Sequence, residues 1–354
     1  MHALTSLLFA TTTLLRPTHS EAVWKKRLTG EDLDPNARWF VAGTDLGIPY
    51  ILENGAVGYF FGDTYATARP EQNNDWRSPV MLRSAIHPAA PNGVVFDSAA
   101  GVLGDGHAPE LMHNGHNGDD GADTFEITVI PNDAISFPET GRHVLSYMSI
   151  RDWHAPPQPW RTNYAGLAVS DDGNRFMRIC HKWWNDHGNA DPFQMWSMQR
   201  DGDFVYIFSV RSGRQQGPMM LQRVLWNAIL DYSAYEGWGW DGTDWAWGHP
   251  PTPILEGWFS EPSVRKLNDG TWVMVYLNVD RNAIVSRTAR GPDQPWSDEV
   301  VQISNATGQN LYGGFVHPWS TSARDDLHLL VSQWSKDQQN NTTAYHVSQY
   351  FTTI

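Results

Sequence analysis

The sequence predicts an all-β protein of a single domain, a five-bladed β-propeller. Runs of about four to eight β-forming residues alternate with glycine-containing turns along most of the 354 residues. Segments with the hydrophobic period of an amphipathic helix are nearly absent. The strands group into five successive units, and radial repetition of four-stranded units is the sequence signature of a propeller. A β-sandwich, the alternative, usually has shorter, evenly spaced strands and fewer residues.

The five units and their turns set the expected order of strands. The units cover residues 38–100, 125–179, 192–240, 259–303 and 312–354. Four tripeptides predict three-residue hairpin loops that end in a left-handed glycine: Glu53-Asn54-Gly55, Asp171-Asp172-Gly173, Arg200-Asp201-Gly202 and Asn268-Asp269-Gly270. A histidine-rich stretch at 101–123 and a tryptophan-rich stretch at 235–258 break the pattern, and loops this long are usually functional or disordered.

Composition excludes several classes of partner. The chain has 25 Lys and Arg against 39 Asp and Glu, a formal net charge of −14, and no run of basic residues. Nucleic acid and anionic membrane surfaces are therefore poor partners, and no protein partner is implied. The single cysteine, Cys180, rules out an internal disulfide. The 18 Trp residues favour either packing between sheets or stacking on sugar rings.

The N-terminus has the character of a targeting segment. An apolar, Thr-rich stretch at residues 3–15 is followed by Arg16-Pro17 and small residues near Ser20. It is too short to span a bilayer and is typical of a secretory signal peptide, although no Lys or Arg precedes the apolar part. We expect residues 1–20 to be a signal peptide, residues 21–354 to form the propeller domain, and the protein to be secreted.

The strongest chemical signal is a pair of aspartates in the first unit. If Glu53-Asn54-Gly55 forms a three-residue loop, Leu52 pairs with Ala56 and Asp45 lies opposite Asp63. Directly opposed like charges destabilise a sheet, so stability does not explain the pair. Close carboxyl groups titrate at different pH values, which supplies a general acid and a base or nucleophile. Alternatively, each Asp caps a turn or pairs with an arginine, and a two-residue loop would place them on opposite faces.

Acidic residues recur at the expected start of the innermost strand in three units: Asp45, Asp191 and Glu261. Innermost strands surround the central channel of a propeller, so these acids are expected at one mouth of it. Asp191-Pro192 and Glu261-Pro262 are also typical of turns that enter a strand. Residues suited to binding sugar rings and hydroxyl groups, each of which could instead be structural, are Trp76, Arg77, Trp153, Asn163, Tyr312, His317 and Trp319.

Other chemistries have weaker support. No GxSxG, HExxH, P-loop or dinucleotide-binding motif occurs in a suitable strand and helix context. His113-Asn-Gly-His116, or the acids Asp119, Asp120 and Asp123, could hold a metal, but they lie in a loop rich in Gly and Asp and are weak signals. We therefore expect no metal and no other cofactor.

Several segments together resemble a secreted five-bladed propeller family that was formerly a domain of unknown function and includes the endo-D-arabinanases. They are GTDLG (43–47), FFGDTY (60–65), WRSPVMLRS (76–84), TNYAGLAVSDDG (162–173), FVYIFSVRSGR (204–214), SEPSVRKLNDGTWVMVYL (260–277) and LYGGFVHPW (311–319). The resemblance runs from about Trp39 to the C-terminus. It implies a cofactor-free, endo-acting hydrolase of mycobacterial arabinogalactan and lipoarabinomannan, with Asp45 and Asp63 as catalytic residues. Residues 101–123 and 238–247 do not match the family pattern.

The sequence and this resemblance predict a glycosidase that cuts arabinofuranosyl linkages within a polysaccharide or oligosaccharide, with inversion favoured over retention. A hydrolase for another furanoside or glycan and a non-catalytic, lectin-like propeller are the alternatives. A lectin has no use for two opposed carboxylates, so Asp45 and Asp63 are the feature that separates the two classes. A polysaccharide lyase would instead need a Tyr, His or Lys base beside an arginine that neutralises a uronate.

Overall fold

The computed structural model describes residues 21–72, 75–104, 106–117, 125–155, 158–305 and 308–354. The expected signal peptide at 1–20, and Asp119, Asp120 and Asp123, lie outside these ranges. The described residues contain one α-helix, Asp34–Trp39, and short 3-10 turns at Pro70–Gln72, Gly115–Asn117, Trp226–Ala228 and Tyr232–Ala234. Within these ranges, no helix has the length and apolar character needed to cross a membrane.

Antiparallel β-strands make up the rest of the regular structure. The first half of the chain forms β1 (Val23–Arg27), β2 (Gly43–Ile51), β3 (Val57–Tyr65), β4 (Val80–Ser84), β5 (Ser98–Ala99), β6 (Thr128–Phe137), β7 (Arg142–Ala155), β8 (Gln158–Ser170) and β9 (Met177–Trp184). The second half forms β10 (Met195–Asp201), β11 (Phe204–Val210), β12 (Gln216–Leu225), β13 (Glu236–Trp240), β14 (Trp245–Trp247), β15 (Leu255–Lys266), β16 (Trp272–Asn278), β17 (Ala283–Ala289), β18 (Val300–Ser304), β19 (Leu311–Val316), β20 (Leu327–Lys336) and β21 (Thr342–Thr352). The prediction of an all-β protein is therefore confirmed.

The strands form three four-stranded sheets and one sheet of nine strands. The smaller sheets have the orders β2-β3-β4-β5, β6-β7-β8-β9 and β1-β21-β20-β19, so the first strand of the chain completes the last sheet. The large sheet runs β10-β11-β12-β15-β16-β17-β18, with β13 paired to β12 and β14 paired to β13. Only residues 216–219 of β12 pair with β15, so two strand sets, β10–β14 and β15–β18, join at one corner.

The first strands of the five strand sets contact one another in a series that returns to its start. β2 contacts β6, β6 contacts β10, β10 contacts β15, β15 contacts β19, and β19 contacts β2. Because each first strand contacts two others, residues far apart in the chain are brought to one central region.

A buried ion pair joins four of these first strands. The Arg265 guanidinium on β15 donates to both carboxylate oxygens of Asp133 on β6, at 2.8 and 2.9 Å, and to the Pro49 carbonyl oxygen on β2 at 3.1 Å. The Ser197 hydroxyl on β10 also donates to Asp133, at 3.0 Å. The side chains of Arg265 and Asp133 are only 7% and 2% exposed, and such charge-assisted bonds are among the stronger hydrogen bonds in proteins.

Two of the predicted three-residue turns are confirmed. In the Glu53–Gly55 loop, the Leu52 N–H donates to the Ala56 carbonyl oxygen at 2.8 Å, and Gly55 has a φ of +84°. The Asn268-Asp269-Gly270 loop is closed in the same way by Leu267 and Thr271, also at 2.8 Å. These local bonds establish the register of the strands on either side.

The other two turn predictions were wrong in detail. Asp201 pairs with Phe204, so that loop consists of two residues, Gly202 and Asp203. After Gly173, the strand β9 begins only at Met177, because the Asp172 carboxylate accepts the Asn174 N–H at 2.8 Å and extends the turn. The strand sets follow the predicted units in chain order, but β9 extends past residue 179, β14 lies after residue 240 and β15 begins before residue 259. The strand β1, which completes the last sheet, lies outside all five units.

Candidate active site

A cavity of about 80 Å³ is lined by residues from all five first strands. Its volume accommodates several water-sized groups, since one water needs roughly 10 to 15 Å³. Five of the residues that the sequence singled out line it: Asp45, Asp63, Trp153, Glu261 and Tyr312.

The β2–β3 hairpin places Asp45 and Asp63 beside this cavity through an irregular ladder. The predicted register holds at the turn and again at Thr44, which pairs with Thr64. Between these points the ladder shifts twice, and Leu46 and Gly47 adopt φ values of +67° and +71°. The two aspartates are therefore not direct ladder partners, and that part of the prediction was wrong. A bulge bends its strand and re-aims side chains, and here both carboxylates line one cavity.

The Asp45 carboxyl group is buried with one oxygen satisfied. Its Oδ2 accepts the Tyr312 hydroxyl at 2.8 Å, while Oδ1 has no hydrogen-bond partner among the described residues. A Cβ atom at residue 62 would lie 2.5 Å from this Oδ1, so the glycine there leaves room for the carboxylate. Burial, followed by the negative charge of Asp63, raises the pKa of Asp45 to about 7.

The Asp63 carboxyl group is held by two donors on the same oxygen. Its Oδ1 accepts the Trp76 indole N–H at 2.8 Å and the Thr128 hydroxyl at 3.2 Å. Burial raises the pKa of Asp63 to about 6, and these two bonds and the nearby His116 oppose the rise. Trp76, expected to stack on a sugar, thus contacts a carboxylate and is not among the residues that line the cavity.

Glu261 is paired with an arginine that the sequence reasoning missed. Its Oε1 accepts two bonds from Arg214, at 2.9 and 3.1 Å, and its Oε2 is buried with no partner among the described residues. The Arg214 guanidinium also lies 4.8 Å from the centre of the Tyr312 ring. Arg214 and Glu261 both have positive φ values, +52° and +45°. The segment SVRSGR contained Arg214, but nothing local indicated its partner.

The remaining lining is mostly apolar. Eleven of the seventeen described lining residues are apolar: Leu46, Ile130, Pro131, Met148, Ile150, Trp153, Trp160, Met195, Trp196, Pro262 and Phe315. Trp160 was not predicted, yet it pairs with Trp153 across the β7–β8 hairpin, with ring centres 6.3 Å apart. The pairing of the β7 and β8 strands, which sets Trp160 opposite Trp153, is the sequence signal that could have identified Trp160.

Arg77 and Asn163 are placed away from the cavity lining. Arg77 is 6% exposed and donates to the carbonyl oxygens of Ala108 and Phe40, at 2.6 and 2.5 Å. The Asn163 amide donates to the Phe125 carbonyl oxygen at 2.7 Å. Both side chains donate hydrogen bonds to backbone carbonyl groups of the protein. This is the structural role that was the alternative to sugar binding.

Asp191, His317 and Trp319 also lie outside the cavity lining. The Asp191 carboxylate accepts the Phe193 N–H at 2.8 Å, as expected of a turn that enters a strand. Of the three acids that were expected to converge, Asp45 and Glu261 line the same cavity and Asp191 does not. His317 is buried and bonded to the Tyr59 hydroxyl at 2.8 Å, and Trp319 lines a separate groove.

No three His, Cys, Asp or Glu side chains come together as a metal site within the described ranges. His107 and His116, from the histidine-rich stretch, instead lie 3.1 and 2.9 Å from carboxylate oxygens of Asp75 and Glu110.

Two relatives share high sequence identity with the chain. It is 58% identical over 319 residues to notoamide biosynthesis cluster protein J' of Aspergillus versicolor, with 89% of this chain and 87% of that protein aligned. It is 52% identical over 359 residues to notoamide biosynthesis cluster protein J of Aspergillus sp. strain MF297-2, with 100% and 96% aligned. Both are named for a biosynthesis cluster and not as arabinanases.

Solved structures share the fold at low sequence identity. A Bacteroides ovatus protein aligns with a TM-score of 0.57 at 15% identity, covering 89% of this chain and 86% of that one. An exo-β-1,3-galactanase from Clostridium thermocellum aligns with a TM-score of 0.53 at 12% identity, covering 93% of this chain and 62% of that one. The fold is thus all-β and propeller-like, as in this galactanase. The family described as Domain of unknown function (DUF4185) matches residues 32–351, and the chain belongs to that family.

Proposed function

We propose that the protein is a glycoside hydrolase in which Asp45 and Asp63 are the two catalytic carboxyl groups. The observation that carries this proposal is a pair of half-buried aspartates whose carboxyl groups line one cavity, with pKa values raised to about 7 and about 6. A glycosidase needs one protonated and one ionised carboxyl group at its working pH. The fold shared with a galactanase supports the same class of reaction.

Asp63 is the base in this proposal. Two donors on Oδ1, the Trp76 indole and the Thr128 hydroxyl, stabilise its ionised form. Its Oδ2 accepts no hydrogen bond from the described residues and takes a proton from the attacking water.

Asp45 is the general acid. Its pKa is the higher of the two, because burial and the charge of Asp63 both disfavour its ionised form. Asp45 gives its proton to the glycosidic oxygen as the bond from that oxygen to the anomeric carbon breaks. Water attacks the anomeric carbon and loses its proton to Asp63, after which solvent restores both carboxyl groups. Because the water attacks the anomeric carbon from the face opposite the leaving oxygen, this single displacement inverts the configuration there.

The proposed substrate is an arabinofuranosyl linkage within D-arabinan, cut internally. The resemblance of GTDLG and FFGDTY to the endo-D-arabinanases supports this choice. Trp153 and Trp160 supply aromatic faces at the cavity for a sugar ring. The closed series of contacts among the five first strands supports a five-bladed propeller as the architecture.

We also propose that the protein is secreted after removal of residues 1–20, because their apolar pattern is that of a signal peptide. N-terminal sequencing of protein from the medium of an expressing cell tests this. Retention of all of the protein inside the cell would contradict it.

A second candidate function is proton transfer on a small apolar molecule by the same carboxyl pair. The predominantly apolar lining of the cavity favours it, as do the names of the relatives that belong to a biosynthesis cluster. Such a substrate has few hydroxyl groups, so it needs few hydrogen-bond partners from the cavity.

Incubation with a panel of soluble glycans, including mycobacterial arabinogalactan, tests the proposal. The parent protein is compared with Asp45→Asn, Asp63→Asn and the control Asp298→Asn, which alters an exposed aspartate. Oligomers of mixed length from the parent and the control, with at least a hundredfold less from the two site variants, support an endo-hydrolase. Glycan binding without products supports a lectin. Neither binding nor products with any glycan overturns the proposal and leaves the second candidate.

A further inference from the structure

The indole of Trp76 lies among aromatic rings of the protein beside Asp63. Its ring stacks with Tyr65 on β3, with centres 6.4 Å apart and planes at 16°. It also stacks with His116, with centres 4.5 Å apart and planes at 24°. The indole plane is thus used in contacts within the protein, and its N–H donates to Asp63 at 2.8 Å.

His116 comes from the histidine-rich stretch that does not match the resembled family pattern. Its Nε2 lies 2.9 Å from a carboxylate oxygen of Glu110, and the two side chains are only 7% and 13% exposed. The same Glu110 oxygen accepts the Ser78 N–H at 3.0 Å. The imidazole is therefore in contact with Glu110 at its edge and with the indole at its face.

We propose that Trp76 and His116 are positioning residues for Asp63: the indole N–H holds Oδ1, and His116, anchored by Glu110, holds the indole plane. This inference rests on the proposed function, in which Asp63 is the base. With Oδ1 committed to Trp76 and Thr128, the carboxylate has one oxygen left to accept a proton. His116, which belongs to the histidine-rich stretch, then acts at the active site.

Several charged or titratable groups face Asp63 and must be considered together. Glu110 in the loop disfavours the ionised form of Asp63 and His116 favours it, while the charge of Asp63 raises the pKa of Asp45 on β2. Tyr345 on β21 donates its hydroxyl to the Asp63 carbonyl oxygen at 3.0 Å. Neither Trp76 nor His116 bonds to Tyr345 or to Asp45, so the two substitutions act on Asp63 through the indole, the imidazole and Glu110.

The first test is a carbon NMR titration of the Asp63 carboxyl group in the protein without substrate. Trp76→Phe keeps an aromatic ring and removes the N–H donor, and we expect it to raise the pKa of Asp63 by about one pH unit. Trp240→Phe, which alters an exposed Trp, is the matched control and should leave that pKa unchanged. An unchanged pKa in Trp76→Phe would overturn the proposal.

His116 is tested with two substitutions. His116→Phe keeps a stacking ring without the imidazole nitrogens, while His116→Ala removes the ring altogether. We expect His116→Phe to raise the pKa of Asp63, because the imidazole lowers it. We expect His116→Ala to raise it further, because the indole loses its support. Equal titration of Asp63 in both variants and the parent would contradict a role for His116.

Kinetics separates positioning from sugar stacking. If Trp76 positions Asp63, Trp76→Phe lowers kcat about tenfold with little change in KM, and the acidic limb of the pH profile moves to higher pH. A rise in KM with kcat unchanged would assign Trp76 to substrate binding instead. If the parent hydrolyses no glycan, the proposed function fails, whereas the titration in the absence of substrate still decides the positioning of Asp63.

Discussion

Gly62→Ala tests the position of Asp45 without removing any functional group. Residue 62 lies on β3 with an ordinary backbone conformation, so alanine is allowed there. The added Cβ would lie 2.5 Å from Asp45 Oδ1 and 3.2 Å from the Leu46 side chain. To reach an ordinary contact at 3.4 Å, the carboxylate oxygen must move by about 0.9 Å.

A displacement of this size has a calculable effect. A misplacement of about 1 Å in a catalytic group can cost roughly 100-fold in rate, equivalent to about 2.7 kcal/mol. The movement also strains the 2.8 Å bond from Tyr312 to Oδ2. We therefore expect kcat on the preferred glycan to fall about 100-fold while KM changes little.

The assay measures kcat, KM and the melting temperature of Gly62→Ala beside Gly291→Ala. At Gly291 the added Cβ would lie 3.1 Å from the flexible Gln294 side chain and 3.5 Å, an ordinary contact, from the Asp293 carboxylate, so this control should keep the parent rate. A folded Gly62→Ala with the parent kcat would refute the reasoning, because Asp45 could then move freely without affecting the reaction.

Four further predictions concern pH, stability and metals. The pH profile of kcat/KM should be bell-shaped with its maximum between about pH 6 and about pH 7, because Asp63 is ionised and Asp45 is protonated there. A profile that is flat from about pH 5 to about pH 9 would contradict these roles. Asp45→Asn should raise the free energy of unfolding at pH 8 by up to about 4 kcal/mol, because ionising a buried acid whose folded pKa is raised costs stability above that pKa. This gain should vanish below the unfolded pKa of 3.8, and urea unfolding at pH 8 and pH 3.5 measures both. Asp133→Asn leaves the buried Arg265 without its counter-ion and should lower the free energy of unfolding by about 3 to 5 kcal/mol in the same assay. A loss below about 1 kcal/mol would mean that the ion pair does not stabilise the fold. A chelator should change the rate by less than about twofold, and activity lost to chelator and restored by zinc or calcium would locate a metal in the histidine-rich stretch.

The sequence by itself determined the class of the fold and the placement of its best turns. Glycines 55 and 270 close three-residue loops where local rules require a left-handed residue, and the register of the first hairpin follows from that loop as far as Ile48. The loop also places Asp45 and Asp63 at the same end of the hairpin, although two shifts in the ladder remove their direct pairing. Such features depend on bonds between residues close in the chain, so a single sequence is sufficient to predict them.

The tertiary structure decided the chemistry of the site. The Tyr312 hydroxyl reaches Asp45 from 267 residues away, and Arg214 reaches Glu261 from 47 residues away. No local pattern encodes these pairs, because they exist only once parts of the chain that are distant in sequence have packed together. Burial in that centre, the largest cause of the raised pKa values of Asp45 and Asp63, is likewise a property of the packed fold. Packing also supplied backbone partners for Arg77 and Asn163, since a buried polar group without a hydrogen bond destabilises the protein.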